Sequence, residues 1–287
     1  MNHFPLLAFG CCLALALAHA AVAVLQRVRG PSVTLENMRQ RAWSWWQLML
    51  VGVPTLLVPA PGAVLLFGVL AACAVSEFME AAQAPRRAQL PWLYLAIPLV
   101  FNAVDRKSLL GAGIALGLVI GVAVSVRYRR RLVLTGVLIC VAGLTSLAWL
   151  ALQDPRSGAL LLLGLLVTQA SDAGQYVFGK LFGKTPLAPR LSPKKTWEGL
   201  LGGAGVAVTV GALVAHGWGW GWGEACFLSS MAAMTGVLGG LLMSALKRHL
   251  RIKDWGSRLK GHGGILDRVD SLLLTGPAFV LCYWLGV

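Results

Sequence analysis

The chain has 287 residues, 57% of them hydrophobic and only 13% charged, about half the charged share of an ordinary soluble domain at roughly 25%. That composition excludes a water-soluble globule. The 25 Lys and Arg outnumber the 11 Asp and Glu, for a net charge of +14. A nucleic-acid-binding protein with that charge needs a basic, water-exposed surface, whereas apolar runs fill most of this chain, so nucleic acid is not an expected partner.

Stretches long enough to cross about 30 Å of hydrocarbon, at roughly 20 residues each, cover 4–26, 43–60, 61–79, 89–104, 108–126, 131–152, 157–176, 199–217, 225–246 and 265–286. The first opens on Met1-Asn2-His3, without Lys or Arg, and is longer than a signal h-region, so it reads as a membrane helix rather than a cleaved signal. Pro59-Ala60-Pro61-Gly62 separates the second from the third as a tight hairpin. The expectation is an all-α polytopic integral membrane protein with about nine to ten transmembrane helices. It forms one membrane domain over 1–287, with N-terminal helices over 1–156 and a half richer in unusual polar residues over 157–287. Cysteines offer no further clue, since Cys11, Cys12, Cys73, Cys140, Cys226 and Cys282 form neither a CxxC nor a Cys/His cluster.

Loop charge sets the orientation. The first, third, fifth, seventh and ninth loops hold all but three of the 25 Lys and Arg; only Arg106, Lys107 and Arg156 fall in even loops. Cytoplasmic loops accumulate positive charge, so the odd loops face the cytoplasm of a cell inner membrane and both termini face outward. Trp43, Trp45 and Trp46, and likewise Trp218, Trp220 and Trp222, fall where interfacial aromatics belong. The run from Arg127 to Arg131 serves topology or headgroup attraction. Asp105 and Asp154 are outer-loop charges with no catalytic case.

Two odd loops are richer in polar residues than anchoring requires: Ser171 to Gly199 and Ser244 to Asp270. They hold Asp172, Glu198, Asp254, Asp267 and Asp270 among many Lys and Arg, a mixture suited to a substrate that carries phosphate and a divalent metal. Mg²⁺ takes one or two carboxylates plus waters and phosphate oxygens, while Lys and Arg neutralise the remaining phosphate charge. Gly261-His262-Gly263-Gly264 offers a backbone that can come close to phosphate. Asp267 and Asp270 are three apart, so a helix there puts both on one face.

The block from Ser244 to Asp270 resembles the signature of the phosphatidate cytidylyltransferases, or CDP-diacylglycerol synthases. Ser244, Lys247, Arg248, Lys253, Asp254, Gly256, Gly261, His262, Gly263, Gly264, Asp267, Arg268 and Asp270 all fall in register with it. Upstream, Asp172, Gly174 and Tyr176 and the run Ser192-Pro193-Lys194-Lys195-Thr196-Trp197-Glu198-Gly199 are similar to the same family. Before residue 171 the resemblance is one of topology. Three positions depart: Lys260 stands where the family has Pro, Gly240 where it has a metal-site aspartate, and Met243 where it has a glutamate.

The resemblance implies CTP-dependent cytidylyl transfer to phosphatidate, giving CDP-diacylglycerol and pyrophosphate at a cytoplasmic-face active site in the bilayer. It assigns catalytic roles to Asp267, Asp270, Arg268, Lys247 and Lys253. Substrate binding falls to Lys194, Lys195, Arg248, Ser192, Thr196, Ser244, Gly261, His262, Gly263 and Gly264. Mg²⁺ falls to Asp267 with Asp172, Asp270 and Asp254. Trp197 packs on a base or anchors the interface. Alternatives left open by the sequence are transfer to another phosphorylated lipid alcohol, a weak or inactive lipid-binding homologue, an anionic-solute transporter, and a homodimer as the assembly.

Overall fold

The computed structural model describes residues 61–83, 128–256 and 263–287, with scattered positions between Ala16 and Arg39. The spans expected over 43–60, 89–104 and 108–126, and most of 4–26, lie outside the described residues, as do Trp43, Trp45, Trp46, Lys260, Gly261 and His262.

In chain order the described elements are α1 (Pro61–Ala81), α2 (Tyr128–Leu150), α3 (Pro155–Phe182), β1 (Pro186–Ala188), β2 (Ser192–Thr196), α4 (Trp197–Gly217), α5 (Trp222–His249), α6 (Leu266–Val269) and α7 (Leu272–Leu285). Local chemistry explains the starts. Asp154 caps α3 by accepting the Ser157 N–H at 2.9 Å, while the Ser157 hydroxyl oxygen accepts the Asp154 N–H at 3.0 Å, with Pro155 at the first turn. Thr196 caps α4 by accepting the Gly199 N–H at 3.1 Å.

Three described helices, Arg156–Phe182, Trp197–Gly217 and Trp222–His249, are long and apolar enough to cross a membrane. The protein is a polytopic, mostly helical membrane protein. With 28 residues, α3 is about 42 Å long, well over the roughly 30 Å of hydrocarbon. It therefore runs beyond the expected end at residue 176, and Asp172 lies within the helix rather than at its mouth. The last expected span is divided: α6 and α7 are separated by Asp270 and Ser271, whose backbone stays right-handed helical. The β1–β2 hairpin, paired antiparallel with Pro186 opposite Thr196 and Ala188 opposite Ser192, occupies a segment expected to be loop.

Small residues bring the spanning helices together. Gly199, Gly203, Ala207, Gly211 and Ala215 recur every four residues on α4 and are buried. Against that ridge α3 comes so close that a Cβ on Gly203 would stand 2.4 Å from the Gln175 backbone nitrogen, and one on Gly174 would stand 2.7 Å from the Gly203 Cα. Dispersion between close backbones is the available attraction where lipid tails are as apolar as leucine.

The charge pattern across the odd and even loops has a geometric counterpart. Glu77, near the end of α1, bonds to Ile265 and Leu266 after α5, so the end of α1 and the chain that follows the ninth loop meet at one end of the bundle. At the other end the Tyr283 hydroxyl donates to Asp154 and Arg156 pairs with Glu224 at 2.7 Å, which joins the sixth loop, the eighth loop and the end of α7.

Candidate active site

The odd-loop end gathers the C-termini of α1, α3 and α5, the hairpin, the start of α4, and α6 with the start of α7. Lys247, in the last turn of α5, is its hub. Its ammonium donates to Asp267 Oδ1 at 2.9 Å and to Asp270 Oδ2 at 3.4 Å, and the three side chains are only 11%, 6% and 18% exposed. The three-residue spacing on α6 thus does turn both carboxylates to one point, and that point is a lysine.

The two carboxylates differ in what else holds them. Asp267 Oδ2 also accepts the Trp255 N–H at 2.9 Å and the Gly264 N–H at 2.8 Å. Three donors leave little of its capacity of roughly four acceptor sites. Among the described residues Asp270 accepts only the longer contact from Lys247, and it lies within electrostatic reach of Asp172, Asp267 and Lys195. Burial pushes its carboxyl up to about 6; the Lys247 ammonium opposes that, and the charges on Asp172 and Asp267 add to it. A buried carboxylate with others of its own sign beside it is a place where a cation is electrostatically welcome.

Asp172 completes the cluster from α3. Lys195, Arg268 and the Ser271 hydroxyl act on it. Strand alternation explains the choice of lysine: on β2, Lys195 turns inward while Lys194 is exposed. Gly240 lies alongside, and a Cβ there would stand 3.5 Å from Lys195 Nζ, ordinary contact. A carboxylate at 240 would thus face Lys195, and its absence leaves that ammonium to Asp172 and Asp270. Met243, the other departure in α5, is fully buried in the apolar core.

Other expected site residues have structural duties. Arg248 donates through Nε to the Leu191 carbonyl and through a terminal nitrogen to the Ile252 carbonyl, both at 3.1 Å, tying the hairpin tip to the end of α5. Thr196 caps α4. Ser192 opens β2 opposite Ala188, and Ser244 is half-buried on α5. Lys253 and Asp254 are exposed, with the Asp254 Cβ 3.4 Å from a Cβ placed on Gly263. Glu198 accepts the Lys184 and Thr185 N–H groups at 3.1 and 3.2 Å, closing the base of the hairpin. Trp197 is 48% exposed beside it.

Gly263 and Gly264 fit the protein's own carboxylates. Gly263 has φ +78°, and a Cβ there would stand 2.7 Å from Asp267 Oδ2; one on Gly264 would collide with Glu77 Oε2. Two residues unremarked in the motif reading are therefore part of the site. Glu77 is fully buried, and Trp255, also buried, packs on Phe78 at 5.0 Å while its ring lies 6.0 Å from Lys247 Nζ. A carboxylate inside the apolar stretch 61–79 was the signal for Glu77, since ionisable groups within spans are functional candidates by default.

Among the described residues, no group of three or more His, Cys, Asp or Glu is arranged as a ready metal cage. Mg²⁺ rarely needs one, since one or two carboxylates suffice when substrate phosphate and water supply the rest. Asp270 and Asp172, whose oxygens are less engaged than those of Asp267, fit that description.

Comparison with known proteins places this geometry. The cytidylyltransferase family model matches residues 39–285. An uncharacterised protein of Escherichia coli, YnbB, is 31% identical over 273 residues, covering 88% of this chain and 87% of that one. The phosphatidate cytidylyltransferase of Pseudomonas aeruginosa is 35% identical over 214 residues, covering 72% of this chain and 79% of that enzyme. That of Helicobacter pylori is 44% identical over 133 residues, covering 45% of this chain and half, 50%, of its own length. With the match reaching well before residue 171, where motif resemblance ended, the chain belongs to the cytidylyltransferase family.

Proposed function

We propose that this cytidylyltransferase uses CTP and phosphatidate, forming CDP-diacylglycerol and pyrophosphate on the cytoplasmic face of the inner membrane. A phosphate oxygen of the lipid attacks the α-phosphorus of CTP; the bond from that phosphorus to the bridging oxygen breaks, and pyrophosphate leaves with the electron pair. The nucleophile is already anionic near neutral pH, so positioning and charge neutralisation supply the catalysis.

The single observation that carries the reading is the buried cluster of Lys247, Lys195 and Arg268 with Asp172, Asp267 and Asp270 at the end of the bundle where the basic loops meet. Asp172 and Asp270 would hold Mg²⁺, which supplies charge stabilisation at phosphate oxygens when bound. Asp267 fixes Lys247 and the loop from Trp255 to Gly264. Lys194, exposed on β2, and Lys253 are placed to meet phosphate from the aqueous side. Arg268 acts on Asp172 and keeps the carboxylates from sharing a proton.

Purified protein given labelled CTP, Mg²⁺ and a panel of phosphatidate and polyprenyl phosphates tests this. The expected product is a CDP-lipid from phosphatidate. Product from a polyprenyl phosphate alone would keep the reaction class and replace the lipid; no CDP-lipid from any acceptor would overturn the reading.

A further inference from the structure

We infer that Glu77 is a positioning residue of the active site: a carboxylate from α1 that caps the first turn of α6 and so fixes Asp267 and Asp270. The inference rests on the placement of catalysis in this cluster.

A helix leaves its first N–H groups without partners inside the helix. At the start of α6 the N-cap position is Ile265, which has no polar side chain, and no side-chain cap comes from its own segment. Glu77 supplies it from nearly two hundred residues away. Its Oε1 accepts the Ile265 N–H at 3.0 Å, and its Oε2 accepts the Leu266 N–H at 2.8 Å. These are the residues immediately before Asp267. One carboxylate thus does for α6 what a capping side chain does locally, with the added strength of a charged acceptor.

The surroundings are shaped to this contact. Glu77 is 0% exposed. Gly264 and Gly256 lie against it: a Cβ on Gly264 would stand 2.3 Å from Oε2, a collision, and one on Gly256 would stand 3.3 Å from the carboxyl carbon, a tight contact. Next along α1, Phe78 packs on Trp255, whose N–H holds Asp267. The end of α1 therefore grips two of the places that orient Asp267, its preceding turn and one of its two backbone donors. Burying a carboxylate is costly unless donors meet it, so retaining one here implies a task that an apolar contact would not perform.

Glu77→Gln keeps the volume but turns an amide NH₂ toward one of the two N–H donors. In the full-length protein in lipid nanodiscs, amide hydrogen exchange should quicken across residues 263–270 and stay unchanged at the opposite end, around 152–157 and 218–224. With CTP and phosphatidate, kcat per folded enzyme should fall by about 10-fold or more, with KM for CTP moved less than about 2-fold, the range seen when a group that orients a ligand is lost. Native exchange across 263–270 would overturn the inference, as would quickened exchange throughout the bundle, or a lower melting temperature with kcat per folded enzyme unchanged. If Glu77→Gln does not fold, Gly256→Ala, which presses on the same carboxylate more gently, should give the local exchange pattern at smaller amplitude; native exchange there would overturn it equally. Because exchange needs no substrate, failure of this inference is distinguishable from failure to make a CDP-lipid.

Discussion

The two ends of the bundle are both tied by ion pairs, yet they are built differently. At the even-loop end Arg156 and Glu224 meet with side chains 48% and 28% exposed, and Asp154 accepts the Tyr283 hydroxyl while capping α3. Each contact there closes a helix end or joins two neighbours. At the odd-loop end Lys247 is buried between Asp267 and Asp270, with Asp172, Lys195 and Arg268 around them and Glu77 beneath. A positive-inside signal needs only charge in water near the headgroups, whereas buried charge of both signs costs desolvation energy. The comparison separates the +14 of the whole chain into topology and a constructed site.

Asp270→Asn should break the comparison most sharply. It removes a carboxylate to which the proposed chemistry assigns Mg²⁺ and a charge the fold tolerates at a cost. Cytidylyl transfer should fall about 100-fold or more, the upper range for lost metal-site groups, measured as CDP-lipid formed per folded enzyme. Thermal stability in Mg²⁺-free buffer should rise. The sign follows from the raised carboxyl, moved from 3.8 to about 6. Between those values the native state holds a proton that the unfolded chain has lost, so this group makes stability fall as pH rises through the window. The Asn variant should lose that slope, and added Mg²⁺ should shift the native inflection to lower pH; melting curves from pH 4 to 7 check both.

Lys247→Met should come next, removing the ammonium that Asp267 and Asp270 share and costing about 3–5 kcal/mol, as when one partner of a buried pair is removed. Chemical unfolding in mixed micelles reads this. Gly203→Ala should cost about 1–3 kcal/mol through overpacking where α4 meets Gln175, seen as a lower melting temperature. At the even-loop end Arg156→Ala should cost only about 0–1 kcal/mol, the range for exposed pairs, with kcat and KM unchanged. A large activity loss there would erase the distinction between the ends.

Much of this was legible in the sequence because it rests on local rules. Apolar length located the helices, though α3 and α4 begin two residues ahead of the expected 157 and 199, where Asp154 and Thr196 cap them. The spacing of Asp267 and Asp270 anticipated their shared face. What escaped was set by tertiary contact. The hairpin at 186–196 depends on Glu198 holding Lys184 and Thr185, and on Arg248 reaching Leu191 from another helix. Glu77 escaped because its partners are nearly two hundred residues away. Gly263 and Gly264 suggested a phosphate cradle, but the close approach they permit is to Asp267 and Glu77. The length of α3 beyond residue 176 was hidden because its last turns are more polar, whereas a long helix carries its polar turns out of the hydrocarbon.

The central claim is that the buried charged cluster performs cytidylyl transfer to phosphatidate. Its most direct test is Mg²⁺-dependent conversion of labelled CTP and phosphatidate to CDP-diacylglycerol and pyrophosphate by the native protein and Asp270→Asn, side by side in liposomes. The native protein should give equimolar CDP-diacylglycerol and pyrophosphate, and the variant almost none. Equal turnover by both proteins would contradict the central claim.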